Sequence, residues 1–183
     1  MQGFFMQGFV YSAAVACVAL GMLAGPAGAQ TFPYDHIHMS VPDPATASVW
    51  YEKNFGARRT TEGPDRMMIG STRLLFIKKA DAKPSAGSVV DHIGFSVPDL
   101  DAKMKELQAA GVKVVTPTRE APGLFKLAFI EDPWGTRIEV VQDPELLGLH
   151  HIHMSAPNPE DAFTWLLAKF GGQRTKLRGS IDA

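Results

Sequence analysis

Cysteine is nearly missing from this chain: Cys17 is the only one among 183 residues, and it lies within the first thirty. Beyond that segment no disulfide framework can form. An excess of charge is missing too, with 18 basic against 19 acidic side chains and no run of Lys or Arg. That excludes the electrostatic footprint of a nucleic-acid binder and points to a small-molecule partner. From Met1 to Gln30 there is no charged side chain at all, and residues 9–23 form a nearly continuous apolar run. The run is followed by Ala27-Gly28-Ala29, a small-residue cleavage site, so residues 1–29 are expected to be a secretory signal. The expected location is periplasmic or secreted, with no stable membrane partner after cleavage. Retention of the segment as a membrane anchor is the other reading, because the apolar run approaches the length that spans a bilayer.

What the rest of the chain has in abundance is repetition. "YDHIHMSVPDPATASVWYEKNFGARRT", "VDHIGFSVPDLDAKMKELQAAGVKVVT" and "LHHIHMSAPNPEDAFTWLLAKFGGQRT" carry the same features in the same order. Each opens with a histidine-bearing apolar strand. Each strand then meets Asp43, Asp99 or Asn158, a residue suited to cap a helix, with Pro44 and Pro159 at first helical positions. In the third copy Phe163, Leu166, Leu167 and Phe170 follow helical spacing and predict an apolar face. Gly56, Gly111 and Gly171 stand where a helix ends in a left-handed residue.

Three strand-like runs follow each of the first two helices, which makes each copy a βαβββ unit. The expected fold is α+β: paired βαβββ modules forming a curved mixed sheet around a cleft, with helices outside. The modules cover residues 34–79 and 89–143, joined by the small, polar linker 80–88, and residues 149–183 form an incomplete third copy. Pairing of the first and second copies is favoured because both are complete.

Strand alternation puts His36 and His38 on one face, together with His92, His151 and His153 of the later copies. Glu139 lies between Ile138 and Val140 in an apolar strand, where a carboxylate is costly to bury without a partner.

"DHIHMSVPD", "DHIGFSVPD" and "FIEDPWGTRIEVVQ" together resemble the vicinal oxygen chelate superfamily. That group includes glyoxalase I, extradiol dioxygenases, fosfomycin-resistance transferases and bleomycin-resistance proteins. The resemblance covers residues 34–143 and implies a divalent metal (Fe2+, Mn2+, Ni2+ or Zn2+) held by His36, His92 and Glu139. Leu75 stands where the family's fourth ligand would be and cannot bind a metal, so coordination positions are left for substrate. Pairing of the second and third copies would instead give His92, Glu139 and His151. His38 is a candidate catalytic base.

The resemblance implies lyase, isomerase or dioxygenase-like chemistry on a small oxygen-chelating substrate. The alternative is metal-free sequestration of a small molecule, as in bleomycin-resistance members. A homodimer is compatible with either.

Overall fold

The computed structural model describes residues 35–177 and 181–182. The chain divides into residues 1–30 and 31–183, and the expected signal over 1–29 lies outside the described residues.

The first copy folds as β1 (His36–Val41), α1 (Pro44–Phe55), β2 (Arg58–Thr60), β3 (Gly63–Ile69) and β4 (Thr72–Lys78). The second repeats the order as β5 (Val90–Ser96), α2 (Leu100–Ala109), β6 (Lys113–Glu120), β7 (Lys126–Glu131) and β8 (Arg137–Val141). The third supplies β9 (Gly148–Met154), α3 (Pro159–Phe170) and a small hairpin of β10 (Lys176–Leu177) and β11 (Ile181–Asp182).

Capping explains where the helices begin. The Asp43 carboxylate accepts from the Ala45 N–H at 3.0 Å, Asp99 from Ala102 at 2.9 Å, and Asn158 Oδ1 from Glu160 at 3.1 Å. Gly56, at φ 66°, closes α1 in the left-handed conformation that a glycine adopts without strain.

The strands form a four-stranded sheet ordered β1-β4-β3-β2 and a five-stranded sheet ordered β6-β7-β8-β5-β9. In each complete copy the first and last strands run parallel, in equivalent registers: His36 opposite Arg73 on β1·β4, and His92 opposite Arg137 on β5·β8. The first and second copies pack together through a common core. Met39, Val41, Leu74 and Phe76 of one sheet share it with Ile93, Phe95, Ile130 and Val140 of the other. Fully buried Tyr51 of α1 crosses between the copies, donating to Asp132 Oδ2 at 2.8 Å.

Edge pairing differs from the expectation. The strand beside β5 is β9, antiparallel, with Ile93 opposite Ile152; β1 is not hydrogen-bonded to β5. Completeness of a copy does not govern this choice, because only the first strand of a module is needed to continue a sheet, and the third copy has one. The apolar face predicted for α3 is not buried: Phe170 remains 51% exposed, and no residue of the helix is fully covered.

Candidate metal centre

Three adjacent strands build the site. Gly94 on β5 lies opposite Glu139 on β8 and, on its other side, opposite His151 on β9. Neighbouring strands are separated by about 4.8 Å, so the outer two side chains have to meet over the strand between them. They do: His151 Nε2 lies 3.0 Å from Glu139 Oε2. Glycine makes the meeting possible, because a Cβ at position 94 would run into the His151 ring. The second copy reads His-Ile-Gly where the others read His-Ile-His, and that single difference clears the space.

His92 approaches from β5 itself. Its Nε2 is 3.1 Å from Glu139 Oε2 and its Nδ1 is 2.9 Å from Asp91 Oδ1. Asp91 is in turn held by the Arg137 guanidinium at 3.1 Å and by the Gly87 N–H at 3.0 Å. Ser85 ties the preceding loop to β8 by accepting from the Arg137 N–H at 2.9 Å. A carboxylate that fixes one imidazole nitrogen, so that the other faces a metal, is a recurring support for histidine ligands.

A register shift lies between Gly94 and Phe95, where His150 is the extra residue on β9. Bulges re-aim side chains, and here both neighbouring histidines enter one network. His150 Nδ1 is 2.8 Å from His151 Nδ1, and His150 Nε2 is 3.3 Å from Asp143 Oδ2. A continuous polar line therefore runs Asp143, His150, His151, Glu139, His92, Asp91, Arg137. His150, the member that sequence reasoning missed, shows in the sequence only as the doublet His150-His151.

Electrostatics follow from this line. Burial pushes the Glu139 carboxyl upward, but hydrogen bonds from His151 and His92 outweigh it and hold the pKa at about 2. Burial opposes protonation of His92, yet Glu139 and Asp91 together raise its pKa. Asp91 is lowered to about 2, first by His92 and then by the Gly87 N–H. His153 is lowered by burial and then by the nearby His92 and His151, which favours a neutral imidazole.

His92, His151 and His153 offer ring nitrogens that lie within 4.8 Å of one another. With Glu139 these form two overlapping three-ligand sets, both containing His92 and His151. Phe129 walls the site edge-on, its ring 5.1 Å from that of His92.

The sequence-predicted residues separate. His92 and Glu139 come together; His36 and His38 stand on β1 in the other sheet, their rings 4.7 Å apart. His36 bonds Asp35 at 2.7 Å, repeating the His92–Asp91 contact, but Leu75 holds the place of Glu139 there. β9, not β1, is hydrogen-bonded to β5, and the convergent histidines among the described residues are His92, His151 and His153. In register, His151 replaces His36 and His153 replaces His38.

A cavity of about 320 Å3, lined by Phe55, Phe95, Pro98 and Lys103 among others, lies elsewhere; Phe95 points to the face of β5 opposite Gly94.

A sequence model described as the Glyoxalase/Bleomycin resistance protein/Dioxygenase superfamily matches residues 34–140. No curated protein matches the chain. Among solved structures, a glyoxalase I variant from Zea mays is similar over 76% of this chain and 56% of its own, with 18% identity and a TM-score of 0.62. The fosfomycin resistance protein FosX from Listeria monocytogenes is similar over 62% of this chain and 95% of its own, with 16% identity and a TM-score of 0.54. FosX has also been solved in complex with Mn(II) and sulfate. At these identities the likeness establishes the fold.

Proposed function

The chain belongs to the Glyoxalase/Bleomycin resistance protein/Dioxygenase superfamily, and we propose that within it this protein is a divalent-metal-dependent enzyme acting on a small, oxygen-chelating substrate. His92, Glu139 and His151 would hold the metal. One observation carries the reading: two imidazole nitrogens lie 3.1 and 3.0 Å from a single carboxylate oxygen that is almost fully buried. The donor set fits. Glu139 is held ionised, Asp91 orients His92 with Nε2 inward, and two imidazoles with one carboxylate suit Mn, Fe, Ni or Zn. Such a metal supplies Lewis acidity to an oxygen of the substrate.

The chain's own residues supply the rest. His153, kept neutral by burial and by its histidine neighbours, is placed to take a proton from a bound substrate, its ring 4.6 Å from that of His92. This gives His153 the role that the sequence suggests for His38. Phe129 covers one side of the site and limits water. Lyase, isomerase and dioxygenase-like chemistry all fit a metal with three protein ligands.

A metal-free sequestering protein is the second reading. It is favoured by the way Glu139 and the two imidazoles satisfy one another directly, leaving no buried polar side-chain atom without a partner among the described residues. Metal content after reconstitution separates the two. About one equivalent of Mn(II), Fe(II), Ni(II) or Zn(II) per chain supports the enzyme, and less than about a tenth of an equivalent favours sequestration.

Export is proposed from the apolar segment at residues 9–23. Sequencing the N-terminus of the protein recovered from the extracytoplasmic fraction tests it: a start at Gln30 supports export, and recovery only with the cytosol contradicts it.

A further inference from the structure

The residue that precedes the first histidine is Asp35 in "YDHIHMS", Asp91 in "VDHIGFS" and His150 in "LHHIHMS". In all three copies it reaches the Nδ1 of the histidine that follows: Asp35 to His36 at 2.7 Å, Asp91 to His92 at 2.9 Å, and His150 to His151 at 2.8 Å. Two copies use a carboxylate at this place, and the third uses an imidazole.

Strand alternation sends neighbouring side chains to opposite faces, and the pairing of β5 with β9 overcomes this twice. One register shift falls between Val90 and His92, with Asp91 as the extra residue on β5. The other falls between Gly94 and Phe95, with His150 as the extra residue on β9. The two irregularities flank the Ile93–Ile152 pair, and each turns the residue before a histidine towards that histidine's ring. By place and by contact, His150 is to His151 what Asp91 is to His92.

A neutral imidazole accepts at Nδ1 only if its own proton is on Nε2, and Asp143 holds it there. Asp143 Oδ2 is 3.3 Å from His150 Nε2, while its Oδ1 accepts from the Glu145 N–H at 3.1 Å. Ser96 fixes the Asp143 backbone, donating to its carbonyl at 2.8 Å and accepting from its N–H at 2.9 Å. The His150 and Asp143 side chains are only 1% and 3% exposed, so water does not compete for these contacts. Phe125 meets the His150 ring edge-on at 5.3 Å and keeps it in place. Because an ionised carboxylate only accepts, His150 donates from Nε2 and offers a lone pair at Nδ1, and His151 donates to it from its own Nδ1.

We propose that His150 is a positioning residue of the centre: backed by Asp143, it makes His151 Nδ1 a donor and leaves Nε2 as the nitrogen that His151 offers to a metal beside Glu139. The proposal rests on the reading of His151 as a ligand, whereas the direction of the hydrogen bonds follows from Asp143 and holds without metal. Its consequence is inequality between the two ligand histidines. His92 leans directly on an anion, and His151 leans on a neutral ring with the anion one imidazole further away, which makes His151 the less basic ligand.

Nitrogen-15 NMR of the metal-free full chain, labelled at histidine, reads the tautomers at fixed pH. His150, assigned by the loss of its signals in His150→Asn, is expected to carry its proton on Nε2 with a bare Nδ1. A protonated Nδ1 on His150 overturns the proposal. This reading is made on the unsubstituted chain and does not need any variant to bind metal. Mn(II) titration is the second measurement. His150→Phe keeps a ring beside Phe125 but removes the acceptor, and affinity is expected to fall about tenfold or more. His150→Asn sets an amide oxygen near the place of Nδ1 and is expected to recover most of that loss. Unchanged affinity in His150→Phe, or an Asn variant no better than the Phe variant, overturns the proposal. His151→Ala separates the proposal from its premise. If it weakens Mn(II) binding while His150→Phe does not, the centre stands and His150 does not position it; if neither weakens binding, His151 is no ligand and the reading of the centre fails as well.

Discussion

Glu139 and His151 touch across an intervening strand. Their side chains come within 3.0 Å although β5 separates β8 from β9. The contact joins the last strand of one repeat to the first strand of the next, so the centre belongs to neither repeat alone.

Gly94 is the residue that permits this contact, and its replacement should be the most selective lesion. Gly94→Ala places a methyl against the His151 ring. Metal affinity is expected to fall roughly 10- to 100-fold, the range for disturbed ligand support, while the far-ultraviolet circular dichroism stays that of the parent. Isothermal titration with Mn(II) reads the first and dichroism the second. Unchanged affinity would mean that His151 is not a ligand.

Asp91 acts through His92. Asp91→Asn leaves a side chain of the same size that holds His92 Nδ1 less firmly and removes the charge paired with Arg137. Mn(II) binding should weaken about tenfold or more. The His92 ring proton resonances should shift at fixed pH, which a general loss of packing would not produce selectively.

Acid should weaken the metal-free protein through Glu139. Its folded pKa of about 2 lies below its ordinary value of 4.5, so its stabilising contribution is present above 4.5 and disappears as pH falls towards 2. His92 has the opposite sign. Its pKa is raised above 6.5, so its contribution is full below 6.5 and is lost as pH rises through the raised value. Urea unfolding of the parent and of Glu139→Gln, both metal-free, should differ most between pH 4.5 and 6.5, with the gap closing towards pH 2. A gap independent of pH would contradict the ionic assignment.

Tyr51 couples the first copy to the second. Tyr51→Phe removes the donor to Asp132, a buried carboxylate that also accepts from the Trp134 and Thr136 N–H groups. Leaving one oxygen short of a partner should cost about 1–3 kcal/mol in chemical unfolding. Because the contact is remote from Glu139, Mn(II) affinity should be unchanged.

Much of the fold is legible in the sequence because repetition exposes it. Aligning the three "HI" strands marks every first strand, the Asp and Asn residues after them mark every helix start, and Glu139 declares itself as a carboxylate among Ile138, Val140 and Val141. The neighbour of β5 is not legible. "HIHMS" occurs at both His36 and His151, and edge pairing depends on backbone geometry that the two copies share. Gly94 reads as a lost histidine until the cross-strand register shows that the His151 ring fills its place. His150 is hidden for another reason: alternation sends it away from His151, and only a bulge restores it to the network. The α3 pattern fails differently, since spacing predicts an apolar face but not whether anything covers it.

Mn(II) titration of the protein, followed by electron paramagnetic resonance, tests the central claim most directly. The parent and His36→Ala should each bind about one equivalent with similar affinity, and His151→Ala should bind at least about tenfold more weakly. Loss of binding in His36→Ala with retention in His151→Ala would contradict the account and return the centre to a pairing of the first and second copies.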